Sequence, residues 1–181
     1  MRPSPLPTLG WLAAAALASG CATSPTPPTG TPAALQPPAG QVLAHEGLAD
    51  GVQIYECMFA PENAGHYAWV LKGPETDLLD RSGHKVGRHY AGPTWQSSDG
   101  SKVVGTVAAH VDAPDGKAIP WLLLSAKAHE GSGKFAQVES IQRLQTTGGL
   151  PPAEPCVGSR TNEVVRVPYT ATYYFYVPGK S

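Results

Sequence analysis

Tyr169-Thr170-Ala171-Thr172-Tyr173-Tyr174-Phe175-Tyr176-Val177 decides the fold class. Extended chain turns successive side chains to opposite faces, so Tyr169, Ala171, Tyr173, Phe175 and Val177 share one face and Thr170, Thr172, Tyr174 and Tyr176 the other. A helix of period 3.6 would scatter both sets around its axis. The residue types agree with the period, because aromatic and β-branched side chains fill a pleated surface well.

The same period runs upstream. In Val52-Gln53-Ile54-Tyr55-Glu56-Cys57-Met58-Phe59, Tyr55, Cys57 and Phe59 fall on one face and Val52, Ile54 and Met58 on the other. Tyr67, Trp69 and Leu71 oppose Ala68 and Val70 in the next run, and both strands read as covered on both sides. Arg81-Ser82-Gly83-His84 and Ser98-Asp99-Gly100-Ser101 punctuate hairpins, the Asp-Gly pair supplying the positive φ of a tight turn. Val103, Val107, Ala109 and Val111 share a side, with His110 opposite. Ile119-Pro120-Trp121-Leu122-Leu123-Leu124 is short enough for a buried strand that starts at its proline. Phe135, Val138, Ile141 and Leu144 recur every three residues, as in a helix. Gly133 before them and Thr146-Thr147-Gly148-Gly149 after them favour a strand paired with the Trp121 run. Short strands with turn residues every eight to twelve positions predict an all-β fold, a single-domain antiparallel β-sandwich or partly closed β-barrel.

Ahead of this domain, which spans residues 41–181, the composition changes twice. Residues 1–20 carry Arg2, an apolar run from Leu9 to Ala18 and small residues before Cys21, the layout of an export signal. An apolar helix of about ten residues covers roughly 15 Å, half of a bilayer core, and cannot span it. Leu17-Ala18-Ser19-Gly20-Cys21 resembles the lipobox of bacterial lipoproteins, with Ala18 where a larger aliphatic residue is usual. That resemblance implies cleavage before Cys21 and lipidation of its thiol. Ala22 in place of aspartate implies sorting to the outer membrane, so the membrane is the expected partner through the N-terminal lipid. Residues 21–40, rich in Pro and Thr, have no acidic or basic side chain and read as a tether.

Without Arg2 the chain holds 12 basic against 14 acidic side chains, with no basic run. Nucleic acid, which demands clustered Lys and Arg, is disfavoured as a partner. Cys57 and Cys156 remain in the mature domain, and an exported location makes a disulfide the expected state. Gly131-Ser132-Gly133-Lys134-Phe135-Ala136 spells part of a dinucleotide fingerprint but lacks the βαβ unit that would aim backbone N–H groups at a pyrophosphate, so no cofactor is expected. The six histidines form neither HxH nor HExxH, and no metal is expected.

The densest block is His89-Tyr90-Ala91-Gly92-Pro93-Thr94-Trp95, with Asp99-Gly100-Ser101 behind it. With Ile119 to Leu124, Ile141-Gln142-Arg143-Leu144, Thr147-Gly148-Gly149 and Tyr169 to Phe175, it resembles the domain-of-unknown-function 3455 family from about Val42 to Val177. The resemblance implies an exported or secreted protein and no particular chemistry. From the residues themselves, His89, Tyr90, Trp95, Trp121 and Arg143 are candidates for a small-molecule pocket, apolar walls with a few polar groups being what such a site needs. The expected function is a membrane-anchored binding module. The alternatives are an envelope enzyme using His89 and Asp99 for proton transfer, or a purely structural protein. Oligomeric state is not legible.

Overall fold

The computed structural model describes residues 25–61 and 66–180; the expected export signal and lipidation site, residues 1–20 and Cys21, lie outside them. Eight strands follow in chain order: β1 (Gln41–Ala60), β2 (His66–Leu79), β3 (Lys85–Tyr90), β4 (Thr94–Ser97), β5 (Lys102–Val111), β6 (Trp121–Glu130), β7 (Ser140–Gly148) and β8 (Val164–Pro178). Each pairs antiparallel with its neighbour in sequence, and β8 pairs with β1, so one sheet closes on itself as a barrel. Of the two expected all-β architectures, the single closed sheet is the one formed. At eight strands a barrel interior is just wide enough for packed side chains or one small ligand.

The quoted strand explains how the barrel fills. Tyr169, Ala171, Tyr173 and Phe175 point inward and join Leu78, Trp95, Val103, Leu124 and Ile141 in the main core. The opposite face of β8 is also covered. Tyr174 and Tyr176 pack outside the barrel with Leu123, Leu144 and Leu35. Leu35 sits in a 3-10 turn, Ala33–Leu35, is fully buried, and accepts a 2.6 Å hydrogen bond from Gln142 Nε2 at its carbonyl. The Pro/Thr-rich stretch is therefore not free throughout: about Pro32 it docks on the barrel, because its one leucine completes the outer cluster.

Two expectations about faces change. A bulge between Val107 and Ala109 breaks the period of β5. An extra residue turns the following side chains to the other face. Val103 thus lies in the barrel core while Ala109 and Val111 pack against the outer cluster. In β1 and β2, Phe59, Tyr67 and Leu71 are exposed where coverage on both sides was expected. The three-residue recurrence from Phe135 to Leu144 spans two structures. Phe135 and Val138 lie in the β6–β7 connection and Ile141 and Leu144 in β7, so the strand assignment holds for the second half alone.

The β6–β7 connection plugs one end of the barrel. Phe135 stacks on Phe175 with ring centroids 4.5 Å apart. Asp99 on the β4–β5 turn holds the plug, accepting from the Lys134 backbone N–H at 2.9 Å and from the Ser101 hydroxyl at 2.6 Å. Ser101 Oγ in turn accepts from the Phe135 N–H at 3.1 Å. The glycine-rich stretch thus spends its N–H groups on its own barrel, as a hairpin connection would.

Cys57 and Cys156 form a disulfide, as expected from the compartment, across a sequence separation of 99. It fastens the β7–β8 connection to β1. Trp69 Nε1 donates to the Glu154 carbonyl at 2.8 Å on the same segment, and the Arg160 guanidinium lies over the Trp69 ring.

Candidate functional site

Beside the β3–β4 turn the barrel interior opens into a cavity of about 300 Å³. Short strands make the opening: β3 and β4 end at Tyr90 and begin at Thr94, while β1, β2 and β8 continue past them. Leu71 and Val107, each 52% exposed, form an apolar rim. Deeper walls come from Leu122, Leu124, Pro74 and Pro93, and the floor from His89, Trp95, Tyr173, Gln53 and Arg143.

Strand alternation puts the floor residues there. Trp95 and His89 are paired across β3 and β4 and point inward together, their rings stacked at 4.2 Å and nearly parallel. Tyr173 meets both rings edge-on, at 5.1 Å from His89 and 5.4 Å from Trp95. Gly105 makes room for the indole, since a Cβ there would stand 3.0 Å from its Cζ3. Arg143, paired with Tyr173 and Leu122 on the neighbouring strands, reaches inward and donates from Nε and Nη2 to the Pro120 carbonyl at 3.1 and 2.9 Å. Tyr173 also lies in hydrogen-bonding reach of that guanidinium. The hydroxyls continue as a chain, Tyr173 to Tyr169 at 3.5 Å and Thr76 donating to Tyr169 at 2.8 Å.

Among the described residues no carboxylate pairs with Arg143, and no Asp or Glu lines the cavity. Its charge is felt across the interior, pulling down the pKa of Tyr55, His89, Tyr169 and Tyr173. Burial outweighs it in the tyrosines, which all stay neutral and above their ordinary value. Two buried polar atoms of the floor have no partner, Trp95 Nε1 and Gln53 Oε1.

His89 is neutral. Desolvation holds its pKa down to about 3 against an ordinary 6.5; donation to the Thr94 carbonyl offsets part of this, and the Arg143 charge adds to it. Because that carbonyl can only accept, Nδ1 carries the proton and Nε2 keeps its lone pair. The sign of the linkage follows. The unfolded chain binds a proton at this group below 6.5 and the folded one does not until about 3, so the contribution to stability is complete above pH 6.5 and is lost as pH falls toward 3. Unfolding free energy should drop by about 1.4 kcal/mol per pH unit at the steepest. Urea midpoints between about pH 4 and 6.5 should slope less in His89→Phe than in the wild type. Equal slopes would mean that the group titrates normally in the fold. His45, also lowered by burial, leaves a residual slope in the variant.

Of the residues read from sequence, His89, Trp95 and Arg143 converge on this cavity and two do not. Tyr90 follows His89 and so points outward, its ring under the Arg88 guanidinium at 5.1 Å. Trp121 precedes Leu122 and packs against the outer cluster around Leu35. Asp99 is the plug anchor at the other end of β4, so His89 and Asp99 do not share a cleft. Gln53 and Tyr173 complete the floor without having been singled out. Both were legible, since alternation puts Gln53 on the face of Tyr55 and Cys57, where a polar side chain needs a reason. Among the described residues no three His, Cys, Asp or Glu side chains gather as a metal would require, and no helix is long and apolar enough to cross a membrane.

A larger groove, about 510 Å³, lies near the plug and is bordered by Pro25, Thr26, Glu46, Arg81 and Phe135. It is the weaker candidate. Of its two cations, Arg81 and Lys134, the first already makes a two-pronged pair with Glu46 at 3.1 and 2.8 Å, the carboxylates Glu46 and Asp80 share the lining, and the chain's own amino-terminal stretch forms one wall.

Comparison with curated proteins and with solved structures finds no match. A family model described as "Protein of unknown function (DUF3455)" matches residues 38–177, which takes in β1 to β7, all but the last residue of β8, the plug, the disulfide and the whole cavity floor. The chain belongs to that family, as the order of its residue blocks implied.

Proposed function

We propose that this protein is a small-molecule binding module held at the cell envelope, with the barrel cavity beside the β3–β4 turn as its site. The observation that carries the reading is the floor of that cavity. A guanidinium without a carboxylate, an indole N–H and an amide oxygen without partners, and a neutral imidazole lie together under an apolar rim. A protein with a structural role alone gains nothing from orphaned polar groups, which cost about 1–3 kcal/mol each. A proton-transfer enzyme needs groups at one cleft that exchange protons near neutral pH, whereas burial holds His89 neutral and pushes the Tyr173 hydroxyl well above its ordinary value. NMR of the exported protein during a screen of small apolar fragments tests the reading. Binders should move the Trp95 indole N–H and the Leu71 and Val107 methyl resonances together. A screen in which no compound does so removes it.

Anchoring belongs to the same proposal. It is supported by the layout of residues 1–20, by Cys21 at a lipobox-like junction and by a disulfide suited to an oxidising compartment. Several acyl chains, each stabilised by about 0.8 kcal/mol per buried CH₂, would hold the protein durably to the outer membrane. Cys21→Ser should shift it from the membrane to the soluble fraction. Equal labelling of wild type and Cys21→Ser by a radioactive fatty acid would contradict the anchor.

A further inference from the structure

The geometry points to a ligand class for this cavity: a small monocarboxylate with an apolar body, its carboxylate on Arg143 and its body between Leu122, Leu124 and the Leu71–Val107 rim. The inference rests on the binding reading above and deepens it.

Charge comes first. The cavity lining includes two cations, Arg143 and Lys72, and no anion. Lys72, at the rim, is 46% exposed in its side chain and is already 3.2 Å from Glu56. Arg143 is deeper and has only the Pro120 carbonyl and the Tyr173 hydroxyl. A cation half-buried in an apolar cavity is costly unless a counter-charge meets it, and among the described residues none does. The remaining guanidinium N–H groups form a fork that matches a carboxylate edge.

The surroundings argue for one negative charge and against two. The only other floor donors are neutral: the Trp95 indole, the Tyr173 hydroxyl and the Gln53 amide. Among the described residues that line the cavity the one other cation, Lys72, sits at the rim and is paired with Glu56, so none there is left to compensate a phosphate dianion. The indole N–H, buried and without a partner, suits a carboxylate oxygen or a polar atom beside it. His89, neutral with Nε2 as acceptor, adds no positive charge and accepts a donor from the ligand instead.

Size and polarity fix the rest. About 300 Å³ is the lower end of small-molecule sites, enough for one ring or a short acyl chain. Aliphatic side chains and prolines line the outer half, and the stacked pair of His89 and Trp95 lines the inner half. A sugar, with hydroxyls on every edge, would leave most of them unpaired against Leu71, Val107, Leu122 and Leu124.

The test uses the full chain at neutral pH with matched probes: phenylacetate and hexanoate against phenylacetamide and hexanamide. Each is titrated to about 10 mM while the Trp95 indole N–H resonance, assigned through Trp95→Phe, is followed. Both acids should bind at least about tenfold more tightly than their amides. Arg143→Gln should erase that preference and Arg143→Lys should restore part of it. Loss of the Pro120 contact makes folding of Arg143→Gln uncertain, so Leu71→Glu at the exposed rim is the second variant. Its added charge should weaken the acids by a clearly larger factor than the amides, which lose only the apolar contact with Leu71. Acids and amides binding equally would overturn the carboxylate inference and leave the cavity as a site. No response of Trp95 to any probe would overturn both.

Discussion

Trp95→Ala should lower the unfolding free energy by about 3–5 kcal/mol, the range for removing a large buried aromatic side chain. The indole is 1% exposed and is the hub of the interior. It stacks on His89, meets Tyr173 edge-on, stands 6.4 Å from Phe175 and lies across Gly105. Alanine would join the space vacated to the existing cavity, and the barrel, closed on every edge, cannot collapse to fill it. Trp95→Phe keeps most of the packing and removes only the orphaned N–H, so it should cost about 1–2 kcal/mol. Urea unfolding followed by circular dichroism measures both. A loss below about 1 kcal/mol in Trp95→Ala would mean that the floor is held from elsewhere, through Tyr173 or Arg143.

The second large effect belongs to the disulfide. Cys57→Ala with Cys156→Ala should cost about 2–4 kcal/mol, somewhat less than the 4.7 that chain entropy assigns to a loop of about 100 residues. The reduction has a reason in the native state. Cys57 N–H donates to the Glu163 carbonyl and its own carbonyl accepts from Asn162 N–H, both at 2.9 Å, so β1 and the β7–β8 connection stay in contact without the bridge. Hydrogen exchange should show where the loss falls. Amides from about Leu150 to Glu163 should lose protection first, whereas those of β8 should follow the global transition. Unchanged stability with full protection of the connection would show the bridge to be redundant.

Particular residues show how far the sequence could be read. Alternation in Tyr169 to Val177 was enough to assign the strand and its inward face, and the structure puts Tyr169, Ala171, Tyr173 and Phe175 in the core. Asp99-Gly100 marked a real turn, and the compartment argument found the pairing of Cys57 with Cys156. For β5 the same rule failed after Val107, because a bulge leaves no mark in the residue period. Tyr90 and Trp121 were candidates for the site because they are aromatic and lie in dense blocks. Their neighbours His89 and Leu122 took the inward face, and a one-residue offset is the whole difference in a strand. Leu35 was unreadable for another reason: a single leucine in a Pro/Thr-rich stretch has no period, and its burial depends on a surface made by β5, β6, β7 and β8.

The sequence by itself determined the β class, the single domain, the disulfide and the family, because local alternation, turn chemistry and residue blocks are properties of the chain read in order. Tertiary structure alone decided that the sheet closes, since β1 meets β8 across more than a hundred residues and no local signal encodes that pairing. It alone decided which polar side chains face a common cavity. Arg143 and Gln53 come from strands far apart in sequence, and whether a half-buried cation has a carboxylate beside it is a fact of three-dimensional distance.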